Sequence, residues 1–108
     1  MSYKAIHRYA KISPRKVRHL ANLIRGQRAD KALEILRFQP HRGARLLEAV
    51  LTSALGNAEN KQASNVQRLT VVDARADGAP MFKRIRPRAR GMAHVIKKRL
   101  SHITVALD

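Results

Sequence analysis

From Gly78 to Leu107 the chain carries eight Lys and Arg residues and no acidic one, so more than a quarter of its length cannot neutralise itself. Like charges crowded into a core repel one another, and Lys and Arg are almost never fully buried without a partner. This segment therefore stays outside any core the chain builds. Its densest part reads Asp77-Gly-Ala-Pro-Met-Phe-Lys-Arg-Ile-Arg-Pro-Arg-Ala-Arg-Gly91 and mixes five cations with Met81, Phe82 and Ile85. It is too positive to collapse on itself and too apolar for an ordinary solvated linker. A polyanion is expected to hold it.

The rest of the charge supports that expectation. Residues 1–29 hold eight cations and no anion, whereas residues 30–77 hold seven cations and six anions, within a total of +16 over 108 residues. A conventional scaffold in the middle with binding surfaces on either side fits this distribution. With 44% hydrophobic residues the chain should form one domain around a small core. There is no cysteine, which excludes disulfides and Cys-based zinc sites. No apolar run approaches the roughly 20 residues of a membrane span, and the start lacks the apolar centre of a secretory leader. The expectation is an intracellular soluble protein with no membrane partner.

Periodicity supplies the elements. Tyr3, Ala5, His7 and Tyr9 fall on one period-two face, predicting a strand over residues 2–12. Ser13 is placed to cap a helix, Pro14 suits its first position, and Gly26 can close it in a left-handed conformation. Between them Val17, Leu20, Ala21 and Ile24 form an apolar stripe, and Arg15, Arg18, Asn22 and Arg25 line another face. With no acidic residue before Asp30 to pair with them, these cations point to phosphate contact. Asp30 is expected to cap a second helix with Ala32, Ile35 and Leu36 inward and Pro40 as its stop. A third helix over residues 41–59 carries Ala44, Leu47, Leu51, Leu55 and Ala58, widened by Leu46, Val50 and Ala54. Its small residues Ala49, Ser53 and Gly56 are the expected points of close approach.

Residues 66–76 turn β-rich, and Ile103, Val105 and Leu107 alternate with His102, Thr104 and Ala106 near the end. Pairing these runs antiparallel with Val66 opposite Leu107 puts the turn near Arg86 and Pro87. Each arm would span roughly 60 Å at about 3.3 Å per residue. The distal half of such an arm is a two-stranded ribbon, marginal alone in water. The fold class read from these patterns is α+β, with three helices packed on a small three-stranded antiparallel sheet and a long protruding β-hairpin. One domain is expected, its body at about residues 1–76 and 97–108 and its extended hairpin at about 77–96.

Catalysis finds little support. Ser101 and His102 are sequence neighbours that point to opposite faces of a strand. His7, His19, His41, His94 and His102 show no metal-ligand spacing, and Glu48 and Glu59 form no acid/base pair. Neither an enzyme, a metal nor a cofactor is expected. Nucleic-acid binding through the backbone remains: Lys83, Arg84, Arg86, Arg88 and Arg90 can each meet phosphate, joined by Lys97, Lys98 and Arg99 on the returning arm. Two polyanions satisfy these residues. A DNA-bending protein uses basic β-arms with an apolar wedge beside a proline, and usually dimerises. An RNA-assembly protein uses one arm as a probe into a folded interior.

Five short motifs, in order, resemble one family over essentially the whole chain. They are Ser13-Pro14-Arg15-Lys16-Val17-Arg18, Ile24-Arg25-Gly26, Asn57-Ala58-Glu59-Asn60, Lys83 through Gly91, and Ser101-His102-Ile103-Thr104-Val105. The family is the universal large-ribosomal-subunit protein number twenty-two, and the short ends resemble its bacterial or organellar members. The resemblance implies a cytoplasmic ribosomal protein, one copy per particle, bound to 23S-type ribosomal RNA and beside other large-subunit proteins near the peptide exit tunnel. It implies help in early assembly and a hairpin whose tip, with Met81, Phe82, Ile85 and Pro87, lines the tunnel and transiently meets the nascent polypeptide. Arg15, Lys16, Arg18 and Arg25 match the family's basic first helix, and Lys83, Arg84, Arg86, Arg88 and Arg90 its hairpin cations. Two positions depart from the pattern: Ala79 stands where glycine usually precedes the proline, and Met92 where arginine is common.

Overall fold

Three helices pack against a three-stranded antiparallel sheet in the computed structural model, which describes residues 2–108. The order along the chain is β1 (Tyr3–Ala10), α1 (Pro14–Ile24), α2 (Ala29–Phe38), α3 (Arg42–Asn60), β2 (Val71–Pro87) and β3 (Ala93–Leu107), with one-turn 3-10 segments at Val66–Arg68 and Ala89–Gly91. β3 lies between β1 and β2. The predicted α+β class, with three helices, three antiparallel strands and a long hairpin, is the fold observed.

Rows of paired residues build the sheet side of the core. Ala5, Val105 and Ala74 form one row, and His7, Ile103 and Ala76 the next. Ile103, Val105 and Leu107 are fully buried against Val17, Leu20 and Ile24 of α1 and Leu47 and Leu51 of α3. Each such side chain contributes about 1.5–3 kcal/mol through apolar area removed from water. Thr104 and Ala106 are buried as well. β3 is the central strand, so its small residues on the second face are flanked by longer ones, Ile6 and Arg75 beside Thr104 and Lys4 and Asp73 beside Ala106.

Several local expectations are revised. The face of Tyr3, Ala5 and His7 holds, but the register with β3 shifts between His7 and Ala10. Tyr9 takes φ 57° and turns outward, leaving Ala10 buried in its place. Ser13 occupies the predicted cap position of α1, yet its hydroxyl makes no cap bond. Gly26 has φ +85°, but it follows an extended Arg25 in a turn closed by the Gln27 amide on the Ile24 carbonyl at 3.1 Å. Left-handed glycine is thus used in a type II turn rather than a helix cap. α2 begins at Ala29, so Asp30 sits inside its first turn, where its carboxylate accepts the Lys31 amide at 2.8 Å and favours the helix dipole.

The small residues of α3 also exchange roles. Ala49 and Ser53 are exposed, and a Cβ on Gly56 would meet nothing within 4 Å. Gly43 is the close approach instead, where a Cβ would lie 3.2–3.4 Å from Leu20, Ile12 and Val17.

The hairpin register differs from the predicted one for a local reason. Val66–Arg68 forms a 3-10 turn after Asn65, which takes φ 52°, so β2 starts at Val71 and pairs there with Leu107. Opposing residue numbers sum to 178 at the base, 179 along the middle and 180 beyond Phe82, because bulges lie at Val71/Asp73 and Ala79/Phe82. The turn consequently centres on Arg90, not on Arg86 and Pro87. Pro80, which cannot donate to a ladder, falls within the second bulge. No residue from Pro80 to Arg99 is buried, and the molecule measures 63 × 25 × 16 Å.

Candidate nucleic-acid interface

The hairpin places two of its cations directly opposite one another and its other paired cations against apolar residues or histidine. Lys83 pairs with Lys97, Phe82 with Lys98, Arg84 with Ile96 and Arg86 with His94. Like charges directly opposite in a ladder destabilise it. Ion pairs between described residues all fall between Arg28 and Asp77, so none relieves the hairpin. Arg88 and Arg90 frame the tip, where the Arg88 amide donates to the Met92 carbonyl at 2.6 Å and Arg90 takes φ 62°. Every cation from Lys83 to Arg99 is exposed.

Apolar residues interrupt this charge. Ile85 faces Val95 across the ladder, 73% and 59% exposed, flanked by the Lys83–Lys97 and Pro87–Ala93 pairs on the same side. Met81 and Met92 are also exposed. Val95 and Met92 join the patch only when the register is known, because opposition across a ladder leaves no mark in a linear pattern. Ala79 pairs regularly with Leu100 and does not have positive φ, so its place requires no glycine.

The four cations of α1 divide in two. Arg15 and Lys16 are exposed and free of ion pairs between described residues. Arg18 Nε donates to the Ala76 carbonyl at 3.2 Å, and the Arg25 guanidinium donates to the Ala74 carbonyl and to Asn22. Both carbonyls belong to β2, an edge strand whose outward groups would otherwise be open to pairing. The Gly26 amide donates to the Val71 carbonyl at 2.8 Å and completes this seal. Helical spacing puts Arg18 and Arg25 on one stripe, but nothing in it distinguishes a brace from a phosphate ligand.

Where the hairpin leaves the body, a concavity of about 660 Å³ opens. Lys11, Ile12, Ser13 and Lys16 form one side of it, with Arg42 at the start of α3, whose guanidinium donates to the Lys11 carbonyl at 2.7 Å. β2 supplies Phe82 and Arg84, and β3 supplies Ile96, Lys97, Lys98, Arg99 and Leu100. Seven lining residues are cationic and none is acidic. Arg84 lies over the Phe82 ring at 5.5 Å. Phe82 therefore stands at this crook, well before the tip at Arg90, and apart from the Ile85–Val95 pair.

Ser101 and His102 serve separate structural tasks. The Ser101 hydroxyl donates to the Ile12 carbonyl at 3.0 Å in the core, and His102 Nδ1 accepts the Tyr9 amide at 3.1 Å. Among the described residues no group of three or more His, Asp or Glu gathers to hold a metal ion, and no helix is long and apolar enough to cross a membrane. Glu48 is engaged by Arg45 and Arg37 at 2.9 and 3.6 Å.

Comparison with known proteins bears on this surface. A family model described as ribosomal protein L22p/L17e matches residues 5–108. A protein of Rhodopirellula baltica named large ribosomal subunit protein uL22 is 53% identical over 110 residues, covering 97% of this chain and 92% of that one. Its namesake in Caldicellulosiruptor saccharolyticus is 56% identical over 100 residues, 93% of this chain and 82% of the relative. The Thermus thermophilus protein of the same name is 51% identical over 107 residues, with coverage of 99% and 95%.

Proposed function

Because the chain belongs to the ribosomal protein L22p/L17e family and so is a non-enzymatic structural constituent of the large ribosomal subunit, we propose that it is an RNA-bound anchor carrying a probe. The body, residues 1–76 and 97–108, holds the protein in place, and the hairpin, residues 77–96, threads ribosomal RNA of the 23S type. The observation that carries this reading is the opposition of Lys83 and Lys97 on an arm without a single acidic neighbour after Asp77. Phosphate between and around them replaces repulsion by charge-assisted hydrogen bonds. Arg15 and Lys16 extend the contact on the body, and Arg18 and Arg25 reach RNA only with the donors left over from bracing β2.

The tip is the part that lines the nascent-peptide exit tunnel in this reading, next to other large-subunit proteins. Ile85, Val95 and Pro87 offer it modest apolar area while RNA engages the cations, so the passing chain finds little to bind. Threading an arm through folded RNA also accounts for a part in early assembly. The protein works as a cytoplasmic ribosomal component, in one copy per particle.

Large subunits purified through a moderate salt wash test this directly. The protein is expected to remain at one copy per particle, with its hairpin surrounded by RNA in a subunit map. A map with Met81, Phe82 and Ile85 all in open solvent would overturn the proposal. Dimerisation and bending of duplex DNA by the purified protein would favour an architectural DNA-binding role instead.

A further inference from the structure

We infer that the crook between hairpin and body is a built site for one unstacked RNA nucleotide, its base lying on Phe82 and its phosphates on Lys16, Arg42 and Lys98. The inference rests on the ribosomal-RNA reading above and gives it a location.

Three observations converge there. The concavity of about 660 Å³ lies within the roughly 300–1,000 Å³ of clefts that enclose small ligands. A duplex is far too wide for it. Its charge is wholly positive, which favours a nucleic acid over a protein segment. Its floor is apolar, however, with Ile12 and Leu100 each only 8% exposed and Ile96 half-buried. Contacts to phosphate alone have no use for such a floor, whereas a base removed from its stack does.

Phe82 supplies the matching platform. It is 54% exposed, enough ring surface for a base to stack on, and Arg84 over its ring at 5.5 Å forms a cation–π pair that adds positive charge beside that platform. The other aromatics lie elsewhere: Tyr9 meets His102 edge to face at 4.8 Å, Lys61 sits over Tyr3 at 5.9 Å, and Phe38 ends α2. Arg42 is held at the rim by its bond to the Lys11 carbonyl. One phosphate clamp is thus positioned before any ligand arrives, which lowers the ordering cost of binding.

The test uses the full chain and a 23S ribosomal RNA transcript, with salt-titrated filter binding and ultraviolet cross-linking read by mass spectrometry. Phe82→Leu is expected to weaken binding roughly 5- to 150-fold, the range for loss of one base–aromatic stack. Phe82→Trp should restore it. A nucleotide adduct is expected on Phe82 or on the Lys97–Lys98 segment. In a second variant, Lys16→Gln with Lys98→Gln, the salt slope should fall by about 1.4–1.8. If Phe82→Leu binds like the parent without an adduct in the crook, while the parent binds with strong salt dependence, the site is refuted and the RNA reading stands. If the parent does not bind the transcript, both fail. Cross-links in intact subunits that tie Lys16 and Lys98 to an acidic protein segment would also overturn the site.

Discussion

Replacing Arg86 and Arg88 together by Gln separates the work of the hairpin from that of the body. Both side chains are exposed, and neither makes a hydrogen bond or ion pair with another described residue. Arg86 faces His94 across the ladder, and Arg88 holds the tip through its backbone amide alone, which the substitution keeps. Surface changes of this kind stay within about 0.5 kcal/mol. For a domain of this size that moves the melting temperature by less than about 4 °C. RNA binding responds differently. Each phosphate contact contributes a salt slope of about 0.7 for single strands to 0.9 for duplex, so losing two flattens the slope by about 1.4–1.8. At about 0.15 M salt this amounts to roughly 15- to 30-fold weaker binding. Filter binding across about 0.05–0.3 M salt measures the slope, and circular dichroism on heating measures the body. An unchanged slope would show that these arginines do not meet phosphate. Loss of the thermal transition would show that arm and body are one cooperative unit.

The remaining predictions concern the body. Gly43→Val should cost about 1–3 kcal/mol in urea unfolding, because its Cβ enters contacts of 3.2–3.4 Å with Leu20, Ile12 and Val17. Gly56→Ala, with open space around its Cβ, should gain about 0.5–1 kcal/mol by the same measurement. Arg25→Gln removes the donor to the Ala74 carbonyl and should cost about 1 kcal/mol, or a melting temperature lower by about 4–8 °C. Arg15→Gln should leave melting unchanged; equal shifts for the two would remove the distinction between brace and free cation.

Legibility in the sequence follows the range of the interaction. The stripe of Val17, Leu20, Ala21 and Ile24 is local, and all four residues are buried as the helical period requires. The class of fold and the existence of the arm follow from patterns of similar range. Register does not, because one 3-10 turn at Val66–Arg68 and two bulges displace the pairing, and each depends on backbone choices made by single residues. The close approach fell on Gly43 rather than Gly56 because what decides it is the neighbour across the helix interface, Ile12 and Leu20 from distant parts of the chain. For the binding surface, the cations were visible as a list. Their division into braces on β2, the facing Lys83–Lys97 pair on the hairpin and a ring around the crook became visible only in three dimensions.

The bulge between Ala79 and Phe82 has a consequence for how this chain can change in length. Along β3 the core-facing residues are odd-numbered without interruption, whereas along β2 they are even at Ala74 and Ala76 and the matching positions past the bulge are odd. The arm and the body are thus written in different phases, joined at one extra residue. Deleting Pro80 or Met81 alone would bring the two into step, remove the bulge and leave every pair from Phe82–Lys98 to the tip with its own partner and on its own face. A single deletion at any regular position of β2 would instead carry every later side chain to the other face, so the bulge is the one place on the arm where the chain can shorten by one residue.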